Sequence, residues 1–348
     1  MTLSNSWRVP AWNDSARFAK TRRYKQTRFW VWGRQTWLGV STRASKKFCH
    51  EISAWLSCEP VSLPSVKKLA ESTALLRTRG LDATDPKAAE EAPIFLLSTS
   101  WRAGSTLLQR ILVTDPRLLL WGEPFGEMAL ISRIAEMVSH SISPPLLESW
   151  GSQADTNSPT LATSWIANLY PSANYFRAAL RGLVDQWLGK PARESGFARW
   201  GFKEVRLGAT EASLLHWLYP NAKFVLISRH PYDCYRSLAD SQWKTYYRYP
   251  DKPVNSAAGF AHHWNRLVMS WSELPGGFPY FHIKYEDLIG GKIDFRKLES
   301  WLGIRIRENV ALSALIGGTA RRSGLTWYER LIIAREAQPG MRALGYPK

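Results

Sequence analysis

Four neighbouring residues, Arg102, Gly104, Ser105 and Thr106, have the side-chain types needed to hold an anion. They sit in the stretch Ile94–Val113, IFLLSTSWRAGSTLLQRILV. The stretch opens with an apolar run, Ile94–Leu97. It ends with helical spacing, Leu107, Leu108, Ile111 and Leu112 on one face and Arg110 on the other. A strand, a tight turn and a helix bring several backbone N–H groups to one point. The first-turn amides have no intrahelical partners and the helix dipole is positive there, so that point attracts negative charge. Gly104 permits backbone angles closed to other residues. Ser105 and Thr106 add hydroxyl donors, and Arg102 adds a planar, permanently charged fork. An ordinary strand-to-helix turn uses similar residues, so this stretch alone leaves phosphate binding and a plain α/β turn both open.

Arg229 and Ser237 offer a second anion contact, just after the apolar run Lys223–Ser228, KFVLIS. Ser237 lies two turns into the helix that Pro231 opens, so spacing leaves open whether it faces Arg229. Two separated anion contacts suit a nucleotide with phosphates at two places. They suit ATP poorly. A Walker loop places Lys and then Ser or Thr after its second Gly; here Ser105 follows Gly104, and no Lys stands in the loop. A P-loop-type kinase or NTPase is the alternative reading.

The elements that must carry these residues alternate. Leu118–Trp121, Arg199–Val205, Lys223–Ser228 and Tyr280–Tyr285 read as strands beside the first one. Helical spacing covers Glu127–His140, most of Leu161–Leu188, Ala209–Tyr219, Pro231 to about Trp243, Val254–Leu274, Phe295–Leu302 and a segment from about Thr326. Ser141–Pro159 reads as a long Ser/Pro-rich loop. The expected fold is α/β: a P-loop-like parallel β-sheet flanked by helices, preceded by a mostly helical extension. Residues 1–90 form that extension and 91–348 the catalytic domain. Ligands in such sheets sit beyond the C-terminal strand ends. Arg102, Glu123, Lys203, Arg229 and Tyr285 all fall just after, or late in, a predicted strand and should converge.

Of the 348 residues, 46 are Lys or Arg and 29 are Asp or Glu, a net charge of +17. That balance favours an anionic ligand, an acidic partner, nucleic acid or a membrane surface. Residues 1–50 hold eleven Lys or Arg and one acid, Asp14, and six Trp fall between Trp7 and Trp55. Such a segment could lie on a membrane surface through residues 1–60, bind nucleic acid or hold an acidic acceptor; it could equally be a helical layer with a solvated basic face. Cys49, Cys58 and Cys234 have neither a metal-type spacing nor an even count, so no zinc site or disulfide framework is expected. A reducing, cytoplasmic setting fits, since no secretory leader and no apolar run of spanning length stands in the sequence.

Taken in order, the motifs resemble those of sulfotransferases that use 3′-phosphoadenosine 5′-phosphosulfate (PAPS). Thr99–Thr106 is similar to the family loop G-x-P-R-S-G-T-T: Arg102, Gly104 and Thr106 match, Ser105 is conservative, and Thr99, Trp101 and Ala103 depart. FVLISRHPYDCYRS is similar to a strand followed by R-D-P-x-D and a later Ser, with Arg229, Pro231, Asp233 and Ser237 in place and His230 where Asp is usual. KYEDL at Lys284–Leu288 and LGY at Leu344–Tyr346 complete the set. The resemblance spans about 250 residues and leaves the first 90 uncovered.

The resemblance implies roles. Arg102, Ala103, Gly104, Ser105 and Thr106 would hold the 5′-phosphosulfate, and Arg229 and Ser237 the 3′-phosphate. Tyr285 would lie near the adenine, and Arg321, Arg322 and Gly324 would close over the 3′-phosphate. Glu123, in WGEPFGEM, is similar in placement to the base of protein-tyrosine sulfotransferases; Glu127 and His230 are fallbacks. Lys203, in GFKEV, would stabilise the bridging oxygen of the leaving group. The reaction implied is metal-independent transfer to a hydroxyl acceptor, a peptide tyrosine, a sugar or a small alcohol or phenol, with adenosine 3′,5′-bisphosphate (PAP) as product. A basic nucleic-acid-binding protein acting through residues 1–60 is a further alternative.

Overall fold

The computed structural model describes residues 42–56, 65–78, 92–124, 128–140, 163, 173–240, 254–307 and 324–347. The basic, Trp-rich stretch before residue 42 and the Ser/Pro-rich loop at 141–159 lie outside the described residues.

Five parallel strands form one sheet in the order β2-β3-β1-β4-β5. They are β1 Ile94–Ser98, β2 Leu118–Trp121, β3 Arg199–Glu204, β4 Lys223–Ser228 and β5 Tyr280–Lys284. Every residue of β1 is buried, as a central parallel strand covered on both faces requires. Its side chains alternate between two cores. Phe95 and Leu97 join Phe202 and Phe224 on one face; Ile94 and Leu96 join Val225 and Ile227 on the other.

Helices cover each face. On the first lie α2 (Val66–Thr78), α4 (Leu130–His140), α5 (Ala173–Val184), continued by a π turn (Asp185–Gly189) and the short α6 (Lys190–Glu194), and α7 (Ala209–Leu218). On the second lie α3 (Ser105–Leu112) and α11 (Phe295–Leu302). Leu108 and Ile111 of α3 are wholly buried, which contributes about 1.5–3 kcal/mol each. A third core joins α8 (Pro231–Ala239), α9 (Ala257–Trp271), α12 (Trp327–Glu336) and α13 (Gln338–Ala343), and it includes Trp101 and Ala103. The N-terminal helix α1 (Thr42–Leu56) reaches this group through buried Glu51, which accepts from the Ala257 amide at 2.7 Å and from the Tyr235 hydroxyl at 3.2 Å. A carboxylate at the first turn of α9 suits the positive end of that helix.

The boundary between β5 and the helix after it differs from the sequence expectation. β5 stops at Lys284, and Tyr285 opens a one-turn helix, α10 (Tyr285–Ile289), because Lys284 takes an extended N-cap conformation. The segment QPGMRA forms α13. Its Pro sits in the first turn, where no N–H is needed. Gly340 fits against Trp264 and Val268, and its amide donates to Asn265 Oδ1 at 2.8 Å.

Candidate active site

The strand register brings Ser98, Glu204, Ser228 and Lys284 to the same end of the sheet. The segments that leave this edge carry Arg102, Glu123, Arg229 and Tyr285, and Lys203 is the last but one residue of β3.

At the centre is the loop between β1 and α3. The Thr99 amide donates to Ile227 O at 3.1 Å, and the Ser98 hydroxyl donates to Ser100 O at 2.7 Å, so the loop is pinned to β4 and to itself. Two residues are left-handed: Arg102 at φ 66° and Gly104 at φ 94°. For Arg102 that conformation costs roughly 1–2 kcal/mol. Gly104 is the N-cap of α3, and no side chain caps the helix start. The Tyr285 ring lies against Gly104: a Cβ placed there would stand 2.3 Å from Tyr285 Cδ2. Glycine is thus required by both angle and space.

Arg229 is buried, 8% exposed, and its guanidinium lies 4.2 Å from the centroid of the Tyr285 ring. One of its nitrogens donates to Arg102 O at 3.2 Å, while its Nε has no partner. Arg102, exposed, donates from Nε to Ser237 Oγ at 2.9 Å. Arg102 thus touches Ser237 through its side chain and Arg229 through its carbonyl. Ser105 and Ala103 are buried and Thr106 is exposed.

Behind Arg229 the KYEDL and LGY segments meet. Glu286 accepts from the His230 amide at 2.9 Å and from the Tyr346 hydroxyl at 3.1 Å. Ser228 Oγ contacts His282 Nε2 at 2.8 Å and the Tyr346 hydroxyl at 3.1 Å. Burial, aided by Lys284, pushes His282 down to about 4, and burial pushes the Cys234 thiol up to about 12. The Tyr346 hydroxyl is also pushed far above its ordinary value by burial. His230 turns toward the C-terminal segment, with Nε2 3.2 Å from Pro347 O.

The other half of the edge is ionic. Glu123, after β2, accepts from Lys203 Nζ at 2.5 Å through one oxygen and from Arg206 Nη1 at 2.9 Å through the other. Arg206 Nη1 also donates to Glu204 Oε1 at 2.7 Å. Lys203, Glu204 and Arg206 are all buried, and burial raises the Glu204 carboxyl above its usual range against the pull of Arg206. The Arg206 guanidinium sits 5.4 Å from the centroid of the Trp101 ring, and Trp101 stacks on His263 at 4.7 Å and 32°. Burial, reinforced by Arg266 and Arg206, holds His263 well below its ordinary value and so neutral.

Arg206 and Glu204 had no place in the sequence reading. Their signal was the run Lys203-Glu204-Val205-Arg206, three charged residues at the end of an apolar strand. Gly324 is exposed ahead of α12, and a Cβ placed there would meet nothing within 4 Å. Arg321, Arg322 and Glu127 lie outside the described residues. Among the described residues, no group of three or more His, Cys, Asp or Glu is placed to hold a metal, and no helix is long and apolar enough to cross a membrane.

A family model described as "Sulfotransferase family" matches residues 93–308, well over half of the chain. No curated protein is a significant match to the sequence. Solved structures with similar folds include a sulfotransferase domain from the curacin biosynthetic pathway (14% identity, 74% of this chain and 98% of that one, TM-score 0.42). A sulfotransferase from Alicyclobacillus acidocaldarius (14%, 74% and 97%, 0.39) and one from Mycobacterium avium (15%, 89% and 97%, 0.39) are also similar.

Proposed function

The chain belongs to the sulfotransferase family, and from that premise we propose that it transfers a sulfuryl group from PAPS to a hydroxyl acceptor without a metal. The observation that carries this reading is the group around Arg229. A buried guanidinium with an unpartnered Nε lies over the Tyr285 ring, and the same ring lies against Gly104 at an uncapped helix start. Thr99 Oγ1, in the same loop, is also buried without a partner. Such groups are costly unless a ligand satisfies them, and a doubly phosphorylated nucleotide supplies the acceptor oxygens.

Arg229, with Ser237 steadied through Arg102, binds the 3′-phosphate. The loop Arg102–Thr106 and the start of α3 bind the phosphosulfate. Tyr285 offers its ring near the base. In the transfer, the acceptor oxygen forms a bond to sulfur as the bond from sulfur to the bridging oxygen breaks. The acceptor proton passes to Glu123, and PAP departs with the electron pair of the broken bond. Lys203 neutralises charge at the bridging oxygen, so its ion pair with Glu123 describes a resting arrangement that the donor must open. The acceptor class is a hydroxyl on a peptide tyrosine, a sugar or a small alcohol or phenol.

The test is thermal unfolding with PAP and with ATP plus magnesium, followed by radiolabelled PAPS offered with a panel of peptide, glycan and phenolic acceptors. PAP should raise the melting temperature and ATP with magnesium should not. Equal shifts, or none, overturn the reading. E123Q should keep the PAP shift and lose about 100-fold or more in turnover; unchanged turnover removes Glu123 as the base.

A further inference from the structure

We propose that Arg206 is the positioning residue that keeps the Glu123 carboxylate at the sheet edge while Lys203 turns to the donor, and that Trp101 ties this hold to the donor loop. The proposal rests on the reading of Glu123 as base. Glu123 has two cations, one on each oxygen, and they differ in how they are held. Lys203 is a compact charge on a flexible stem. Arg206 is a fork, 2% exposed, fixed at three places. Its Nη1 is shared between Glu123 and Glu204. Glu204 ends β3 and also accepts from the Val205 amide at 2.8 Å, so the anchor is part of the sheet. The guanidinium also packs over Trp101, whose ring in turn packs against His263.

Glu123 otherwise stands in a loop and is partly exposed. Once Lys203 departs, nothing but Arg206 among its described partners fixes the carboxylate. Misplacing a base by about 1 Å costs about 100-fold in rate. Trp101 stands where the family loop has Pro, directly before left-handed Arg102. The same residue thus shapes the anion-binding turn and supports the group that holds the base. Donor loop and base are thereby one packed assembly across β1, β2 and β3.

The experiment uses the full chain and the most active acceptor of the panel. In E204Q/R206M the buried pair is removed together, so that no lone buried charge is left to unfold the protein. Turnover should fall about 100-fold with the PAP-induced melting shift unchanged. Guanidinium ion in the assay should restore tenfold or more to this variant and nothing to E123Q. Adding E123Q to E204Q/R206M should cause no further loss, because Arg206 acts through Glu123. W101L leaves every charge in place and should lose about tenfold; if the double variant does not fold, W101L and its response to E123Q decide the matter in the same way.

Turnover within threefold of the parent, a parallel loss of PAP affinity, or a further loss on adding E123Q overturns the proposal. An unchanged E123Q removes the base reading, and this proposal with it. A slowed E123Q beside an unaffected E204Q/R206M removes this proposal alone.

Discussion

The loop half of the sheet edge, around Arg102, Arg229 and Tyr285, and the carboxylate half, around Glu123, Lys203 and Arg206, treat buried charge in opposite ways. In the loop half a cation is buried against an aromatic face and a backbone carbonyl, with no carboxylate paired to Arg229 among the described residues. In the carboxylate half each cation has its acid within 2.5–2.9 Å. The first arrangement leaves a buried cation open to an anion, and the second is satisfied internally. On the proposed reading, one half binds the donor without rearranging and the other has to open.

Substitutions should separate the two halves in order of effect. R229A removes the buried cation. The PAP-induced melting shift should vanish, with affinity down about 100-fold or more, while the ion pairs of Glu123 persist. A retained shift would erase the distinction between the halves. G104A comes next: the added Cβ collides with Tyr285 and the left-handed angle resists it. PAP affinity should fall roughly tenfold to 100-fold by calorimetry. G104A/Y285A should recover stability but not affinity, because the ring serves the ligand as well as the loop.

S237A should weaken PAP by only about three- to tenfold, since it frees Arg102 without removing charge. Acid should act on the backing of the loop half. His282 stays neutral in the folded protein down to about 4, whereas the unfolded chain takes up its proton near 6.5. The unfolded state therefore binds more protons between these values, and stability falls as pH drops through that window. H282Q should flatten this dependence in denaturant titrations at pH 7, 6, 5 and 4. An unaltered slope would mean that buried, neutral His282 is not the source of the pH dependence.

The loop half was legible in the sequence because its geometry is local. A tight turn entering a helix fixes Gly104 and Ser105 beside Arg102, and Pro231 fixes the helix that carries Ser237. The parallel sheet followed from apolar runs alternating with helical spacing, and β4 and α11 have the expected bounds. The carboxylate half was less so. Glu123 and Lys203 came through resemblance, and nothing local links them: β2 must pair with β3 before they meet. Arg206 was missed for the same reason, since its importance lies wholly in partners distant along the chain. Tyr285 was placed at a strand end, and the structure gives it to a helical turn instead, because strand and helix patterns are indistinguishable at one residue's resolution.

The fully buried first strand also has a consequence during synthesis. Ile94–Ser98 is apolar on both faces, and its two neighbours are Arg199–Glu204 and Lys223–Ser228. A ribosome releases residue 94 well before it reaches 201 or 223, so an uncharged, sticky strand with two open edges waits for both of its partners. This protein should therefore be most prone to aggregate as a nascent chain arrested between those points, and a chaperone that shields Ile94–Ser98 should raise its yield more than one that acts after release.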